Sequence, residues 1–105
     1  MPSTTTAESK VVLAALLNNR SAAHSSIGAV DKAFGDANAV LTCVDTENVK
    51  ALYRRACALR AKGDTARSKA DLQALLRLVP TNAQAKVMLD SLTAESSKIF
   101  LNIER

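Results

Sequence analysis

The amino-acid sequence predicts an all-α fold in which antiparallel helical hairpins stack as a short repeat array, with a capping helix at the C-terminus. The first indication is a repeated pattern. Arg20 and Asp36 have the same spacing as Arg55 and Asp71, and the second pair follows the first by 35 residues. A fixed period of this length is typical of stacked helical repeats. The second indication is that apolar residues recur at helical intervals, while no segment alternates with the period of two that marks a strand.

The composition fits close helix packing and excludes several functional classes. Of the 105 residues, 48% are apolar but only 3% are aromatic. The net charge of +4 is a mild basic excess without interleaved aromatic residues, so we expect no nucleic-acid binding. No apolar run reaches the roughly 18 residues that a membrane span needs, so we expect no membrane insertion. An array of short helical repeats forms a binding surface rather than an enzyme pocket.

The first helix is predicted from about Thr6 to Ile27, with Thr5 or Thr6 as its N-cap. Gly28 follows it in the position where glycine commonly ends a helix. Its apolar stripe is expected to consist of Val12, Leu13, Leu16, Leu17 and Ala23.

The second helix is predicted from about Val30 to Cys43. Gly35, in its interior, costs about 1 kcal/mol relative to alanine and is expected to weaken this helix. A polar boundary follows, and Asp45 or Thr46 is the expected N-cap of the third helix.

The fourth helix is expected to begin on Asp64 or Thr65 and to end before Pro80, which cannot continue a helix. Thr81 or Asn82 then caps a fifth helix that runs through the last residues. The apolar residues expected to cover the end of the array, or to serve a partner, are Val87, Leu89, Leu92, Ile99, Phe100 and Ile103.

The connections between these helices are short, so neighbouring helices must be antiparallel. We expect a disordered segment at 1–6, a first repeat unit at 7–47, a second at 48–82 and a capping helix at 83–105. Two units are fewer than the roughly three that such arrays usually need. The last helix therefore acts as a cap, the chain self-associates as a homo-oligomer, or a preceding repeat lies outside the chain.

Neither a metal site nor a catalytic site is expected. Cys43 and Cys57 lack metal-ligand spacing, and His24 has no companion ligand, so we predict no metal and no cofactor. Two reduced, packed cysteines favour an intracellular, cytoplasmic protein. The sequence contains no recognisable Ser/His/Asp set, carboxylate pair or phosphate-binding loop, so we do not expect an enzyme.

The second unit, residues 49–82, resembles a tetratricopeptide repeat. Ala56, Gly63, Ser68 and Pro80 occupy the small-residue, glycine and proline positions of that family. The resemblance implies a short solenoid of helical hairpins. Leu75 departs from the pattern because a small residue is usual there, which is expected to loosen the packing near the end of the unit.

The first unit resembles the same repeat through Leu17, Ser21, Gly28 and Ala33, with Thr46 standing where proline is common. It is one residue longer than the second unit. The extra residue must lie between Asp36 and Lys50, so a wider turn or a bulge is predicted at the end of the second helix.

The segments 18–23 and 50–55 are similar to the co-chaperone type of this repeat, found in Hop-like adaptors, immunophilins and myosin chaperones. Those domains hold the C-terminal Glu-Glu-Val-Asp tail of heat-shock chaperones in a carboxylate clamp. The resemblance implies that Asn19, Lys50 and Arg54 match three of the five clamp residues. The other two belong to a preceding repeat, which we expect this chain to lack.

The chemistry of these positions fits the resemblance. Lys50 and Arg54 stand at i and i+4 on one helix face, and stacking of the units brings Asn19 toward them. Two cations and an amide can bind a peptide carboxylate, the guanidinium in a bidentate manner. The other residues expected in the groove are Asn18, Ala22, Tyr53 and Cys57.

We therefore predict a protein-interaction module, a co-chaperone-like adaptor that binds acidic C-terminal peptides of heat-shock chaperones. The alternative is a structural assembly subunit or self-associating scaffold with an idle, incomplete clamp. Arg20 with Asp36, and Arg55 with Asp71, are expected to form structural ion pairs between the two helices of each unit.

Overall fold

The computed structural model describes the backbone of residues 7–104 and the side chains of residues 7–95. Consecutive helices pack against each other as hairpins, and the second and third helices join the two hairpins. The expected disordered segment 1–6 and the side chains of Ile99, Phe100 and Ile103 lie outside the described residues. The described part of the chain forms five α-helices: α1 (Ala7–Ser26), α2 (Val30–Ala39), α3 (Val49–Ala61), α4 (Thr65–Leu78) and α5 (Ala83–Glu104).

A π-helical turn, Val40–Val44, continues α2 without a break. The N–H of Asp45 donates to the carbonyl of Val40 at 2.8 Å, the i to i+5 bond that defines this geometry. A π turn accommodates one residue more than an α-helix, which is the length difference between the two units. The predicted bulge at the end of the second helix is therefore confirmed.

Side-chain caps begin the later helices. At α4 the carboxylate of Asp64 accepts the N–H of Arg67 at 3.1 Å, and at α5 the Oδ1 of Asn82 accepts the N–H of Ala85 at 2.9 Å. Both caps are among those that the sequence predicted. Each satisfies a backbone donor that the first helical turn would otherwise leave unpaired.

The prediction that Asp45 or Thr46 caps the third helix is wrong. The cap is Asn48, whose Oδ1 accepts the N–H of Ala51 at 2.9 Å. Asp45 instead follows the π turn, where its carboxylate accepts the N–H of Glu47. The extra residue of the first unit lies in the π turn. The first residue of α3 therefore comes later in the sequence than the predicted end of the second helix suggests.

The two hairpins turn on equivalent glycines. Gly28 and Gly63 have φ angles of +79° and +86°, a left-handed conformation that is costly for a residue with a Cβ atom. After the first glycine, the N–H of Ala29 donates back to the carbonyl of His24 at 2.8 Å. Asp64 makes the same backbone bond after the second glycine, so both turns close in one geometry.

A buried serine hydroxyl joins the two helices of each hairpin. In the first, Ser21 on α1 donates to the carbonyl of Ala33 on α2 at 2.8 Å. In the second, Ser68 on α4 donates to the carbonyl of Ala56 on α3, also at 2.8 Å. A shift of 35 residues lays Ser21 onto Ala56 and Ala33 onto Ser68. The serine has therefore changed helices between the units, while the bond between the helices is kept.

Replacing Ser21 with alanine is expected to lower the free energy of unfolding by about 1 kcal/mol, because one buried hydrogen bond is lost. Introducing Ala33→Ser into the same protein should recover most of that loss, since it recreates the arrangement of the second hairpin. Chemical denaturation measures both changes. Ser26→Ala is the matched control, because the hydroxyl of Ser26 is exposed and bonds only to the carbonyl of Ala23 within its own helix. An equal loss in the control, or no recovery in the double variant, would contradict this interpretation.

Leucine side chains from three helices form the centre of the core. Leu59, Leu72, Leu75 and Leu92 are fully buried. The expectation that Leu75 loosens the packing is wrong, since its side chain fills the interior between α4 and its neighbours. In α5, Leu92 covers the end of the array as predicted, whereas Val87 is exposed.

The apolar stripe predicted for the first helix faces the core only at Leu17, which is half-buried and packs against it. Val12, Leu13 and Leu16 are exposed, and the buried positions of α1 are Ala14, Asn18 and Ser21. Small residues at these positions allow α1 to approach α2 and α3 closely, while most of the larger aliphatic residues remain exposed. None of the helices in the described part of the chain is long and apolar enough to cross a lipid bilayer.

Candidate functional site

All five residues predicted to bind peptide line a single pocket between α1, α3 and α5. Its volume is about 190 Å³. We call it the cationic pocket. Its lining combines the predicted Asn18, Asn19, Lys50, Tyr53 and Arg54 with Val49, Asn82 and Gln84.

The packing of α3 orients its side chains toward this pocket. Ala51 and Leu52 are buried in the core, while Lys50 is exposed and Tyr53 is half-buried at the edge of the core. The guanidinium of Arg54 lies 5.9 Å from the centre of the Tyr53 ring, which steadies it by a cation–π contact. Burial raises the pKa of the Tyr53 hydroxyl, which lies within hydrogen-bond reach of the Cys57 thiol.

The two cations of the pocket form no ion pair with a carboxylate of the described residues. Among the described residues, no carboxylate lines the pocket or pairs with Lys50 or Arg54. Lys50 and Arg54 are therefore available to bind an external anion. A ligand carboxylate would not have to displace a carboxylate of the described residues. Five other cations of the described chain do have acidic partners, in the pairs Arg20–Asp36, Arg55–Asp71, Arg60–Glu95, Lys62–Asp31 and Arg67–Asp64.

Two helix N-termini add to this positive potential. Val49 and Lys50 belong to the first turn of α3, while Asn82 and Gln84 are the cap and first turn of α5. The N-terminal end of a helix carries a partial positive charge from its aligned peptide dipoles. The pocket therefore receives positive potential from the backbone as well as from the two side chains.

Asn18 lines the pocket and has an unpaired, buried side-chain oxygen. Its residue surface is only 4% exposed, and its Nδ2 donates to the Oδ1 of Asn48 at 3.1 Å. That Asn48 oxygen already accepts the N–H of Ala51, which fixes which end of the Asn18 amide faces it. The Oδ1 of Asn18 is buried and has no hydrogen-bond partner among the described residues. A buried acceptor in this state costs about 1–3 kcal/mol.

Asn82 and Gln84 are site residues that the sequence reasoning missed. A shift of 34 residues lays Asn48 onto Asn82 and Lys50 onto Gln84, so the repeat pattern extended into the last helix would have found both. Cys57 and Ala22 were expected in the groove but do not line the cationic pocket. Burial raises the pKa of the Cys57 thiol, which makes it a poor nucleophile at neutral pH.

A second, more apolar pocket continues the groove between α3 and α5. Its volume is about 400 Å³, and it shares Tyr53 and Gln84 with the cationic pocket. The groove therefore offers positive charge at one end and aliphatic surface at the other. The rest of its lining comes from Arg60, Ala83, Val87, Met88 and Ser91.

Both predicted Arg–Asp pairs lie within their hairpins and outside the cationic pocket. Arg20 donates from Nε and Nη2 to the two carboxylate oxygens of Asp36, at 2.9 and 2.7 Å. These bonds from the guanidinium hold the pKa of Asp36 below its ordinary value. Arg55 makes the same two bonds to Asp71, both at 2.8 Å. Each pair links the first helix of a hairpin to the second.

The second pair has one contact that the first lacks. The Nη1 of Arg55 also donates to the Oδ1 of Asn38, on α2, at 2.9 Å. Arg55 thus joins the two hairpins as well as the two helices of its own hairpin. Its side chain is 22% exposed, whereas that of Arg20 is 63% exposed.

Within residues 7–95, no group of three or more His, Cys, Asp or Glu side chains is arranged to hold a metal ion. Neither a scan against models of known protein families nor a search of curated protein sequences finds a match to this chain.

Proposed function

We propose that this chain is a protein-interaction domain that resembles tetratricopeptide repeats and binds acidic C-terminal peptides, as a co-chaperone-like adaptor for heat-shock chaperones. The observation that supports the proposal is the cationic pocket. There Asn19, Lys50 and Arg54 converge without a carboxylate among the described residues to neutralise them.

The equivalence of the two hairpins supports a repeat array of this kind. The bidentate Arg–Asp pair, the buried serine–carbonyl bond and the left-handed glycine occur in both. The fifth helix begins on an asparagine cap, as α3 does. In a solenoid each unit repeats the contacts of its neighbour, so contacts shared at this level favour a solenoid over an unrelated helical bundle.

Each pocket residue has a role in the proposed complex. The guanidinium of Arg54 binds a carboxylate in a bidentate manner, Lys50 supplies a point charge, and the amide of Asn19 donates to the terminal carboxylate or the peptide backbone. Asn18 lines the pocket and bonds Asn48, the N-cap of α3, on which Lys50 and Arg54 lie. Residues upstream of the C-terminus lie over the apolar part of the groove, along Val87 and its neighbours.

Titration with a peptide ending in Glu-Glu-Val-Asp tests this function, with the C-terminally amidated peptide as its partner experiment. The free-acid peptide is expected to bind, and its affinity should fall as salt is added. Lys50→Ala and Arg54→Ala should each lower the affinity for the peptide by about tenfold or more, because each removes a charge-assisted hydrogen bond. Lys32→Ala is the matched control, since Lys32 is an exposed lysine on α2 outside the pocket.

Two outcomes would overturn the proposal. One is the absence of binding by the unmodified protein at low salt. The other is binding that is equally strong for the amidated peptide, or that Lys32→Ala weakens as much as Lys50→Ala does. Circular dichroism of each variant distinguishes loss of binding from loss of the fold.

A further inference from the structure

The outer face of α1 exposes a continuous row of large aliphatic residues. Val12 is 58% exposed and Leu16 is 62% exposed, and Leu13 lies beside them. Together with Glu8 these residues surround a shallow surface depression of about 410 Å³. The row Glu8, Val12, Leu16 and Arg20 follows the i, i+4 ridge of the helix, with an acid at one end and a base at the other. We call these four residues the α1 ridge.

The equivalent face of α3 is covered by a helix. A shift of 35 residues lays Leu16 onto Ala51 and Arg20 onto Arg55. Ala51 is fully buried in the core, α3 packs against α2, and Arg55 uses its Nη1 to bond Asn38 on α2. The α1 ridge therefore occupies the position at which this architecture packs a further helix.

Arg20 still has the donor that such a helix would satisfy. Its Nε and Nη2 are bound to Asp36, but among the described residues its Nη1 has no partner comparable to Asn38. A helix covering the α1 ridge must therefore bring aliphatic residues to Val12 and Leu16. It must also bring a hydrogen-bond acceptor to Arg20.

We propose that the covering helix is α1 of a second copy of this chain, in an antiparallel pair with two-fold symmetry. With the axis midway between Val12 and Leu16, Val12 of each copy meets Leu16 of the other. Glu8 of each copy then meets the free side of Arg20 of the other. The ridge is thus complementary to itself in both apolar contact and charge, as a two-fold interface requires.

Helix packing allows this pairing. When the i, i+4 ridges of two helices interdigitate, the helices cross at about −50° and the ridges run side by side along the contact. All four residues of the ridge then remain in register over about three turns. A single helix from each copy buries less than a standard stable interface, so the dimer is expected to be weak.

Sedimentation velocity of the full chain over a range of concentrations tests this pairing. The apparent mass is expected to rise from the monomer value of 11.1 kDa toward twice that value. The rise should occur between about 10 µM and 1 mM, the range expected for a small interface. Leu16→Lys should abolish the rise in mass, because the substitution places the lysine of each copy against Val12 of the other. Glu8→Lys should shift the rise in mass to at least several-fold higher concentration, because like charges then face each other at Arg20.

Ile27→Lys is the matched control, since it adds the same charge at an exposed aliphatic residue that lies outside the ridge. A protein that remains monomeric up to about 1 mM would overturn the proposal, because even a weak interface populates a dimer at that concentration. Association that survives Leu16→Lys, or that Ile27→Lys abolishes equally, would also overturn it. The interface shares no residue with the cationic pocket, so peptide titration of Leu16→Lys shows separately whether the proposed function holds.

Discussion

Replacement of Leu75 with alanine is expected to be among the most destabilising single changes in the core, with a loss of about 2–5 kcal/mol in the free energy of unfolding. The side chain of Leu75 is fully buried in the core cluster of α4 and its neighbours. Alanine would remove buried methyl and methylene groups and leave a cavity that tightly packed helices cannot close completely.

The size of this loss matters because a domain of about 100 residues has only about 5–15 kcal/mol of total stability. Urea denaturation of the two proteins measures the difference directly. Leu78→Ala is the matched control: the same substitution, one turn later in α4, at a side chain that is 39% exposed. We expect the control to lose well under half as much. Equal losses would show that the interior near Leu75 is not packed as described.

Asp71→Ala is expected to destabilise the protein more than Asp36→Ala, although the two aspartates occupy equivalent positions. Each is largely buried and each binds its arginine in a bidentate manner. The difference lies in the arginine that the substitution leaves behind. Arg20 is largely exposed and can exchange Asp36 for water, whereas Arg55 is mostly buried between the hairpins.

Removing one member of a buried pair strands the other, at a cost of about 3–5 kcal/mol when burial is complete. Because Arg55 retains some exposure and its bond to Asn38, we expect Asp71→Ala to cost about 2–4 kcal/mol. Thermal or urea unfolding at neutral pH compares the two variants. A larger loss in Asp36→Ala would contradict the assignment of Arg55 as the residue that joins the hairpins.

The helices, their turns and most caps follow from local sequence. Gly28 and Gly63 end helices because few other residues adopt positive φ, and Asp64 and Asn82 begin them because their side chains reach the first free N–H groups. Such effects act within a few residues. They are therefore visible in the sequence without knowledge of the tertiary contacts.

Five of the eight residues that line the cationic pocket were predicted, from the resemblance to co-chaperone repeats. The 35-residue shift, which lays Asn19 onto Arg54, is consistent with their lying on the same side of neighbouring helices. Gln84 was not predicted, because the repeat pattern was not extended beyond the second unit into the last helix. The unpaired acceptor of Asn18 could not be foreseen, since it depends on which end of its amide bonds the cap of α3.

The inward face of α1 was predicted wrongly, except at Leu17, for a physical reason. An aliphatic stripe such as Val12 and Leu16 indicates a surface suited to helix packing, but not which helix supplies the contact. The inward face instead uses Ala14 and Ser21, and small residues contribute little to a hydrophobic pattern. Their effect is to shorten the distance between helices, which only the packed structure reveals.

The π turn at Val40–Val44 has a consequence for how the two hairpins can vary. Counted from arginine to arginine the units are 35 residues apart, but counted from the Asn48 cap to the Asn82 cap they are 34 apart. The two units thus differ in length but share one geometry. The extra residue lies in the π turn, and both hairpins keep the same kinds of internal bonds. The one-residue difference in length is therefore taken up by the π turn rather than by the contacts inside either hairpin.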